Sequence, residues 1–306
     1  MRRYTRPGPH GRNGFCARSA WRGSVSKLPV FWLTDMDGVL VHEGQIVPGA
    51  DRFLEALRTT NRRYLVLTNN PIFTQRDLSV RLAGIGLDVP EDCIWTSATA
   101  TAQFLQSQRP NGSAFAIGEA GLTTALHEVG YVLVERDPDY VVLGETRRYS
   151  FEQITMAVRL IEAGARFICT NPDATGPSPD GTLPAVGAVA AMISAATGVT
   201  AYFVGKPNPL MMRSALNRLQ AHSDSSVMIG DRLDTDVRSG LEAGLATILV
   251  LSGMTRPGEV DSSPFTPTRI IDSVADLIDE IIADGPVSVD EQQEAERDEA
   301  RSVDPE

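Results

Sequence analysis

The sequence has 306 residues, of which 42% are hydrophobic, and its formal net charge is −11 at pH 7. These values fit a soluble globular protein with one large or two ordinary domains. Because the charge is strongly negative and no basic stripe carries interleaved aromatic residues, we expect no nucleic acid polymer as a partner of the folded part.

The two ends of the chain carry opposite charge. Residues 1–28 contain seven Arg or Lys residues and no acid, whereas residues 289–306 contain eight acids and two arginines. Prolines and glycines in the first segment oppose an amphipathic targeting helix, and no apolar signal core follows it. We therefore predict a disordered basic leader over residues 1–28 and a disordered acidic tail over residues 286–306.

The cysteines and one uncharged segment bear on the cellular location. Cys16, Cys93 and Cys169 lie far apart without metal-ligand spacing, which indicates reduced thiols and a cytoplasmic protein. Residues 181–205 contain no charged residue, but Pro184 and a TGVT turn interrupt them. This pattern favours a buried helix, a glycine stop and a strand over a membrane span.

Between the two ends, short β-branched or aromatic runs alternate with segments of helical periodicity. This alternation predicts an α/β protein with a parallel sheet and crossover helices. Ser150 and Gln153 form a predicted capping box for one helix, and Gly164 is its predicted stop. The predicted strands begin at Val30, Tyr64, Ala114, Tyr140, Arg166, Tyr202, Val227 and Ala246.

Four polar clusters directly follow predicted strands. In chain order they are DMDG, TNN, GKPNP and GDRLDTD. Ligands of an open parallel sheet bind at the carboxyl ends of its strands, so we expect the four loops to converge. About 90 residues with their own alternation of strands and helices separate the second cluster from the third. We therefore predict a core domain over residues 29–108 and 200–285, with an inserted cap domain over residues 109–199.

The first cluster places Asp35 and Asp37 one residue apart. A divalent cation that neutralises both carboxylates is the most economical explanation, and Mg²⁺ with Asp231 as a further ligand fits this set of oxygen donors. A close carboxylate pair also separates its proton affinities, which suits Asp35 as nucleophile and Asp37 as general acid and base. For DMDG taken alone, a turn with solvated aspartates stays open.

The other clusters supply groups that suit a phosphoryl ligand. Lys206 lies between a glycine and a proline and offers one compact positive charge. Thr68 offers a hydroxyl and, with Asn69, backbone N–H groups, although a simple strand-ending turn stays open for this motif. In the last cluster we predict that Asp234 is a helix N-cap and that Asp236 orients Lys206 or a metal-bound water.

The four motifs resemble those of the haloacid dehalogenase superfamily. Asp-x-Asp-Gly-Val, Thr-Asn-Asn, Gly-Lys-Pro and Gly-Asp-Arg-Leu-Asp-Thr-Asp occur in the order of its phosphatase branch, which has a large C2-type α/β cap between the second and third motifs. Stretches such as DPDYVVLGETRRYSF and GARFICTNPDATG are similar to nucleotide phosphatases of the NagD type. The resemblance covers roughly residues 29–282 and implies a Rossmann-like core.

The resemblance also implies a role for each core residue. Asp35 would form an aspartyl phosphate, Asp37 would act first as acid and then as base, and Thr68 and Lys206 would hold the phosphoryl group. Mg²⁺ would bind Asp35, the backbone carbonyl of Asp37, and Asp231. Because dehalogenases of the superfamily lack the aspartate at position 37, phosphate ester hydrolysis is favoured over carbon–halogen cleavage.

The substrate is less constrained than the chemistry. Asn171 and Asp173 in the cap stretch 170–184 suggest hydrogen bonds to a ribose or base, which predicts a nucleoside monophosphate such as UMP, although an Asx turn also explains this stretch. Asn70 departs from the NagD pattern and leaves pyridoxal phosphate and sugar phosphates open. A phosphotransferase, a non-catalytic phospho-switch and a homo-oligomer also stay open; a membrane partner is not expected.

Overall fold

The computed structural model describes residues 28–178 and 181–297. The predicted basic leader, apart from Leu28, and the end of the acidic tail lie outside these residues. Within them the chain forms two parallel sheets with flanking helices, which confirms the predicted α/β class with a Rossmann-like core and a separate cap sheet. All eight predicted strands are present, each beginning within one residue of its predicted start.

The first sheet has six strands, all parallel. The first strand of the chain lies near the middle of this sheet, and the chain adds strands on one side of it before it returns to the other side. This reversal of direction creates a crevice at the carboxyl ends of the central strands. In spatial order the strands are Arg269–Ile271, Ala246–Val250, Ser226–Gly230, Phe31–Asp35, Arg63–Thr68 and Ile94–Thr96.

The second sheet has five parallel strands and includes the strand that begins at Tyr202. Its spatial order is Tyr202–Phe203, Arg166–Cys169, Tyr140–Leu143, Ser113–Ile117 and Val132–Leu133. The expectation that all four polar clusters follow strands of one sheet is therefore wrong for GKPNP, which follows a cap strand. The cap sheet also extends past residue 199, the end that we predicted for the inserted domain.

Short β elements and the helices complete the chain. Two antiparallel hairpins pair Val41–His42 with Gln45–Ile46 and Thr175–Ser178 with Gly181–Pro184. The α-helices are Ala50–Thr59, Gln75–Gly84, Ser97–Gln108, Ala120–Glu128, Phe151–Glu162, Val186–Thr197, Pro209–Leu219, Arg238–Glu242, Pro257–Val260, Ile278–Asp284 and Val289–Arg297. Short 3₁₀ turns occupy Glu91–Cys93, Ser223–Ser225 and Val274–Leu277, and Leu233–Val237 is a π-helical turn.

Local sequence signals set several of these helix boundaries. Gln153 N–H donates to Ser150 Oγ at 3.1 Å, and Ser150 N–H donates to Gln153 Oε1 at 3.4 Å, so the predicted capping box is confirmed. The helix Phe151–Glu162 ends just before Gly164, whose φ of 111° is accessible to glycine. In the uncharged segment, the helix Val186–Thr197 ends at Gly198 with φ 71°, again as predicted.

Apolar side chains cover both faces of the first sheet. Along the strand Phe31–Asp35 they alternate, so Phe31 and Leu33 join one cluster and Trp32 joins the cluster on the opposite face. The cluster with Phe31 and Leu33 also contains Val142 and Ile168 from the second sheet. Because burial of each such side chain contributes about 1.5–3 kcal/mol, this shared cluster holds the cap against the core.

The predicted acidic tail is wrong for residues 286–297, because Val289–Arg297 forms a helix that contacts the core. It carries few apolar residues: Ala295 packs against the apolar cluster that contains Phe31 and Leu33, and polar groups make further contacts. Val287 N–H donates to Thr60 O at 2.9 Å, Gln292 Nε2 donates to Asn61 O at 2.7 Å, and Arg63 Nη1 lies 2.7 Å from Glu296 Oε1. In the part of the chain that the structure describes, no helix is both long and apolar enough to span a bilayer.

Candidate functional site

Asp35 is the last residue of the central strand Phe31–Asp35 and is buried. Its Oδ1 accepts a hydrogen bond from Met36 N–H at 2.8 Å, which turns the carboxylate towards the loop. Asp37 follows in the turn and is exposed, and Gly38 has φ 77°, a value that glycine adopts without strain. The strand end therefore presents one buried and one solvent-accessible carboxylate.

Lys206 reaches this strand end from the cap. Its Nζ lies 2.7 Å from Asp35 Oδ1 and 2.7 Å from Asp236 Oδ1, and its side chain is only 3% exposed. The sequence contains just two lysines, Lys27 and Lys206, so nearly all other basic side chains are arginines. GKPNP thus converges with the other clusters although its strand belongs to the second sheet, because the chain crosses from cap to core at this loop.

Asp231 follows the neighbouring strand Ser226–Gly230 and is also buried. Its Oδ2 accepts a hydrogen bond from Met254 N–H at 2.7 Å. A Cβ atom at Gly38 or at Gly253 would overlap the Asp231 carboxylate. Two glycines and one backbone N–H thus fix the position of this carboxylate.

The two other aspartates of GDRLDTD have different surroundings. Asp236 is fully buried, accepts from Lys206 Nζ, and accepts from Arg232 N–H at 3.2 Å, so the expectation that it orients Lys206 agrees with its position. Asp234 is not an N-cap: the helical turn Leu233–Val237 has Arg232 at that position without a side-chain cap. Instead, Asp234 accepts from Arg232 Nη2 at 2.9 Å and Nε at 3.1 Å.

The TNN motif closes the strand Arg63–Thr68 beside this site. Thr68 is buried, and its Oγ1 accepts from Asn70 N–H at 3.1 Å. Asn70 Oδ1 in turn accepts from Ile72 N–H at 2.8 Å, so this side chain forms a turn. Asn69 Nδ2 donates to Lys206 O and to Asp173 Oδ2, both at 2.9 Å. The motif therefore combines the predicted hydroxyl with the strand-ending turn that we left open.

The two cap residues predicted to contact substrate bond to protein groups instead. Asn171 is buried, its Oδ1 accepts from Thr170 Oγ1 at 2.8 Å, and its Nδ2 donates to Asp173 Oδ2 at 2.7 Å. Asp173 Oδ1 lies 3.6 Å from Arg232 Nη1. The cap loop thus contacts the core, but the polar atoms of Asn171 are already in use.

Burial and crowding of negative charge change the proton affinities of the site. Burial, followed by the nearby Asp236 carboxylate, raises the pKa of Asp35 well above its ordinary value, and the same two causes raise the pKa of Asp231 to about 6. Desolvation by the surrounding protein also raises the pKa of Asp37, although Lys206 acts in the opposite direction. Burial alone would lower the pKa of Lys206, but Asp236 and Asp35 raise it, so this lysine carries its charge.

The same crowding fits a bound cation. Carboxylate oxygens of Asp35, Asp231 and Asp236 lie within 4.8 Å of one another, and Lys206 is the ammonium that faces them. Both oxygens of Asp236 are engaged, Oδ1 by Lys206 and Oδ2 by Arg232 N–H. The contacts of Asp35 and Asp231 involve one oxygen each, so these two side chains are suited to hold a cation. Hard carboxylate oxygens of this kind suit Mg²⁺.

The sequence reasoning missed three groups of this site. Gly253 and Met254 N–H contact Asp231, and Arg232 links Asp236 to the cap loop. Gly253 and Met254 follow the strand Ala246–Val250, so the same rule of carboxyl strand ends would have found their loop. The role of Arg232 had no such signal, because its partner Asp173 is remote in sequence.

Sequence comparisons place both parts of the core in known families. A family described as haloacid dehalogenase-like hydrolase matches residues 32–132, and a family described as HAD-hydrolase-like matches residues 203–277. The two matches lie on either side of most of the cap, and they contain all four polar clusters.

Curated relatives extend over most of the chain. A dihydroxyacetone phosphatase of Corynebacterium glutamicum is 63% identical over 82% of this chain and 91% of its own length. The ribonucleotide monophosphatase NagD of Escherichia coli is 43% identical over 80% of this chain and 96% of its own length. An acid sugar phosphatase of Staphylococcus aureus is 34% identical over 82% of this chain and 97% of its own length.

Solved structures share the architecture over most of the chain. The structure of NagD from Escherichia coli K-12 superposes with a TM-score of 0.77 at 42% sequence identity. The superposition covers 81% of this chain and 98% of the NagD chain. A 4-nitrophenylphosphatase of Thermotoga maritima superposes with a TM-score of 0.79 at 32% sequence identity. This superposition covers 83% of this chain and 97% of the Thermotoga chain. The chain therefore belongs to the haloacid dehalogenase superfamily, as a phosphatase of the NagD type.

Proposed function

We propose that the protein is a Mg²⁺-dependent phosphomonoesterase that forms an aspartyl phosphate on Asp35. The observation that carries this proposal is the contact of Lys206 Nζ with Asp35 Oδ1 at 2.7 Å, beside the buried Asp231. This arrangement puts a nucleophile, a fixed positive charge and a cation-binding carboxylate at one strand end. Such an arrangement suits the transfer of a phosphoryl group.

In the first half of the reaction, an oxygen of Asp35 attacks phosphorus and the bond from phosphorus to the ester oxygen breaks. Asp37, in the turn directly after the nucleophile, donates a proton to the leaving oxygen. Lys206 and the Thr68 hydroxyl hold the oxygens of the phosphoryl group. The organic alcohol then leaves, and the phosphoryl group stays on Asp35.

In the second half, Asp37 takes a proton from a water molecule, which attacks phosphorus and releases phosphate and free Asp35. This covalent division splits one difficult hydrolysis into two easier steps. Asp35 and Asp231 would hold Mg²⁺ together with the backbone carbonyl of Asp37. The metal supplies positive charge that neutralises the phosphoryl oxygens and the crowded carboxylates.

For the substrate we propose a small phosphorylated polyol or triose, with dihydroxyacetone phosphate as the first candidate. The relative that is 63% identical carries the name dihydroxyacetone phosphatase. The argument for a nucleotide is weakened because Asn171, expected to bind a ribose or base, uses its amide within the cap loop. UMP is the second candidate because of the 43% identical NagD relative.

The test is phosphate release by the purified full-length chain from dihydroxyacetone phosphate, UMP, pyridoxal phosphate and a sugar phosphate. We expect multiple turnovers with Mg²⁺ and none after chelation, with the highest kcat/KM for dihydroxyacetone phosphate. A higher kcat/KM for UMP would contradict the substrate assignment. A single turnover, or transfer to an added alcohol in place of water, would contradict hydrolysis and favour a phospho-switch or a phosphotransferase.

A further inference from the structure

The cap loop contacts the core through the side chain of Asp173. Asp173 Oδ2 accepts from Asn171 Nδ2 at 2.7 Å within the loop and from Asn69 Nδ2 at 2.9 Å on the core. Its other oxygen lies 3.6 Å from Arg232 Nη1, also on the core. One cap carboxylate therefore contacts two core side chains that arise from different strand ends.

The first of these core side chains supports the backbone of Lys206. Asn69 Nδ2 donates to Lys206 O at 2.9 Å as well as to Asp173. Both partners are acceptors, which fixes the orientation of the amide, and the buried Asn69 Oδ1 has no hydrogen-bond partner. The Asn69 backbone is held as well, because Ser97 Oγ donates to Asn69 O at 2.7 Å.

The space beside Asn69 leaves no room for adjustment. A Cβ atom at Gly205 would lie 2.7 Å from Asn69 Oδ1 and 2.5 Å from Thr170 O. Gly205 N–H also donates to Thr170 O at 2.7 Å, which ties the residue before Lys206 to the end of a cap strand. A shift of the cap loop would therefore be transmitted to Asn69 and Lys206, because close-packed groups move together.

The second core side chain supports the ammonium of Lys206. The backbone N–H of Arg232 donates to Asp236 Oδ2 at 3.2 Å, and Asp236 Oδ1 lies 2.7 Å from Lys206 Nζ. Asp173 therefore contacts both supports of the lysine: Asn69, which holds its backbone carbonyl, and Arg232, which holds the aspartate that binds its Nζ.

We propose that Asp173 is a positioning residue through which the docked cap loop fixes Lys206 against Asp35. This proposal rests on the proposed phosphatase function, because it assigns a cap residue to the same site. Asp173 itself does not contact the phosphoryl group. Contact between the cap loop and the core orders Lys206, which binds the phosphoryl group. The complete site therefore forms when the cap loop contacts the core.

Removal of Asp173 leaves Asn69 with one acceptor and Arg232 without its cap partner. We expect Asp173→Ala to lower kcat about 10- to 100-fold, since small misplacement of a catalytic group costs this much, with little change in KM. The fold-decrease in kcat should be the same for dihydroxyacetone phosphate and for 4-nitrophenyl phosphate, because Lys206 holds the phosphoryl group that both esters share. If Asp173 bound the organic part of the substrate, KM would rise for one ester and not for the other.

The double variant Asn69→Ala with Asp173→Ala tests the path through Asn69. We expect it to lose about as much activity as the more impaired single variant, since both remove the same support. Multiplicative losses would show that the two residues act independently and would contradict the proposal. The matched control is Asp139→Ala, because Asp139 is also a cap carboxylate but bonds to Ser113 N–H and Arg109. It should keep the wild-type kcat.

Amine labelling gives a readout that does not depend on turnover. Lys206 is buried, and Lys27 is the other lysine of the chain and serves as internal reference. We expect an amine-reactive acylating reagent, mapped by peptide mass spectrometry, to label Lys206 faster in Asp173→Ala than in wild type or Asp139→Ala. Equal labelling in all three would overturn the proposal. If no ester is hydrolysed by the wild type, the phosphatase function fails, while the labelling result still decides the role of Asp173.

Discussion

Lys206 and Asp236 form a buried ion pair, in which Nζ and Oδ1 are 2.7 Å apart. Asp236 is fully buried, and the same ammonium lies equally close to Asp35. A buried carboxylate that loses its partner keeps an uncompensated charge, which destabilises the folded protein. Lys206 therefore contributes both to stability and to the proposed reaction.

Replacement of Lys206 by methionine should therefore affect both activity and stability. We expect kcat/KM to fall about 100- to 1,000-fold, as for the loss of one preorganised donor, and the melting temperature to fall because Asp35 and Asp236 lose their cation. Lys206→Arg should not restore activity, since a planar guanidinium differs in shape from an ammonium. Near-normal kcat/KM in either variant would contradict the role of this lysine.

Gly253→Ala should weaken metal binding. A Cβ atom at this position overlaps the Asp231 carboxylate, so the carboxylate must move. We expect about 10- to 100-fold weaker Mg²⁺ affinity, the usual cost of disturbing a group that orients a ligand. Isothermal titration calorimetry with Mg²⁺ measures this affinity. Gly258→Ala is the matched control, because a Cβ atom there meets nothing within 4 Å, and it should bind Mg²⁺ like wild type.

The effect of Mg²⁺ on thermal stability should depend on pH. Without metal, native Asp231 keeps its proton up to a pKa of about 6, whereas the ordinary value is 3.8. Between these values the native state binds more protons than the unfolded state, so this group makes metal-free stability fall as pH rises through that window. Mg²⁺ needs the deprotonated carboxylate.

We therefore expect Mg²⁺ to raise the melting temperature strongly at pH 8 and only slightly at pH 5. Differential scanning fluorimetry with and without Mg²⁺ at pH 5 and at pH 8 measures the change in melting temperature. An equal or larger rise at pH 5 would argue against Asp231 as a metal ligand.

Deletion of residues 289–306 should destabilise the protein, contrary to what the charge of this segment suggests. The helix Val289–Arg297 supplies an ion pair with Arg63 and hydrogen bonds to Asn61 and His222. We expect a loss of about 1–3 kcal/mol in the free energy of unfolding, which is the sum of a few such contacts. Deletion of residues 298–306 keeps these contacts and is the control. Equal urea midpoints for both truncations would contradict the prediction.

The sequence predicted the parts of the molecule that have local signals. Alternating strands, the Ser150 capping box and the stop at Gly164 are set by neighbouring residues, and the structure has all of them. Asp35 and Asp231 were predicted to converge because the carboxyl ends of strands in one sheet share one edge, and they do lie together. Lys206 lies beside them for a different reason, because its loop crosses from the cap sheet to the core.

The remaining features depend on contacts between distant residues. Ile94–Thr96 is a strand of three residues, too short for a clear period of two. The amide of Asn69 points to Asp173, 104 positions along the chain, so the motif did not predict its partner. The helix Val289–Arg297 docks through polar groups and through Ala295, so it lacks the broad apolar stripe by which sequence reasoning recognises a packed helix.

The most direct test of the phosphatase mechanism compares wild type with Asp35→Asn under saturating Mg²⁺ and dihydroxyacetone phosphate. An amide is a poor nucleophile, so no aspartyl phosphate should form and phosphate release should be abolished, while circular dichroism shows that the variant is folded. Wild type should release many equivalents of phosphate for each protein chain. Phosphate release by Asp35→Asn at a rate near that of the wild type would contradict Asp35 as the nucleophile.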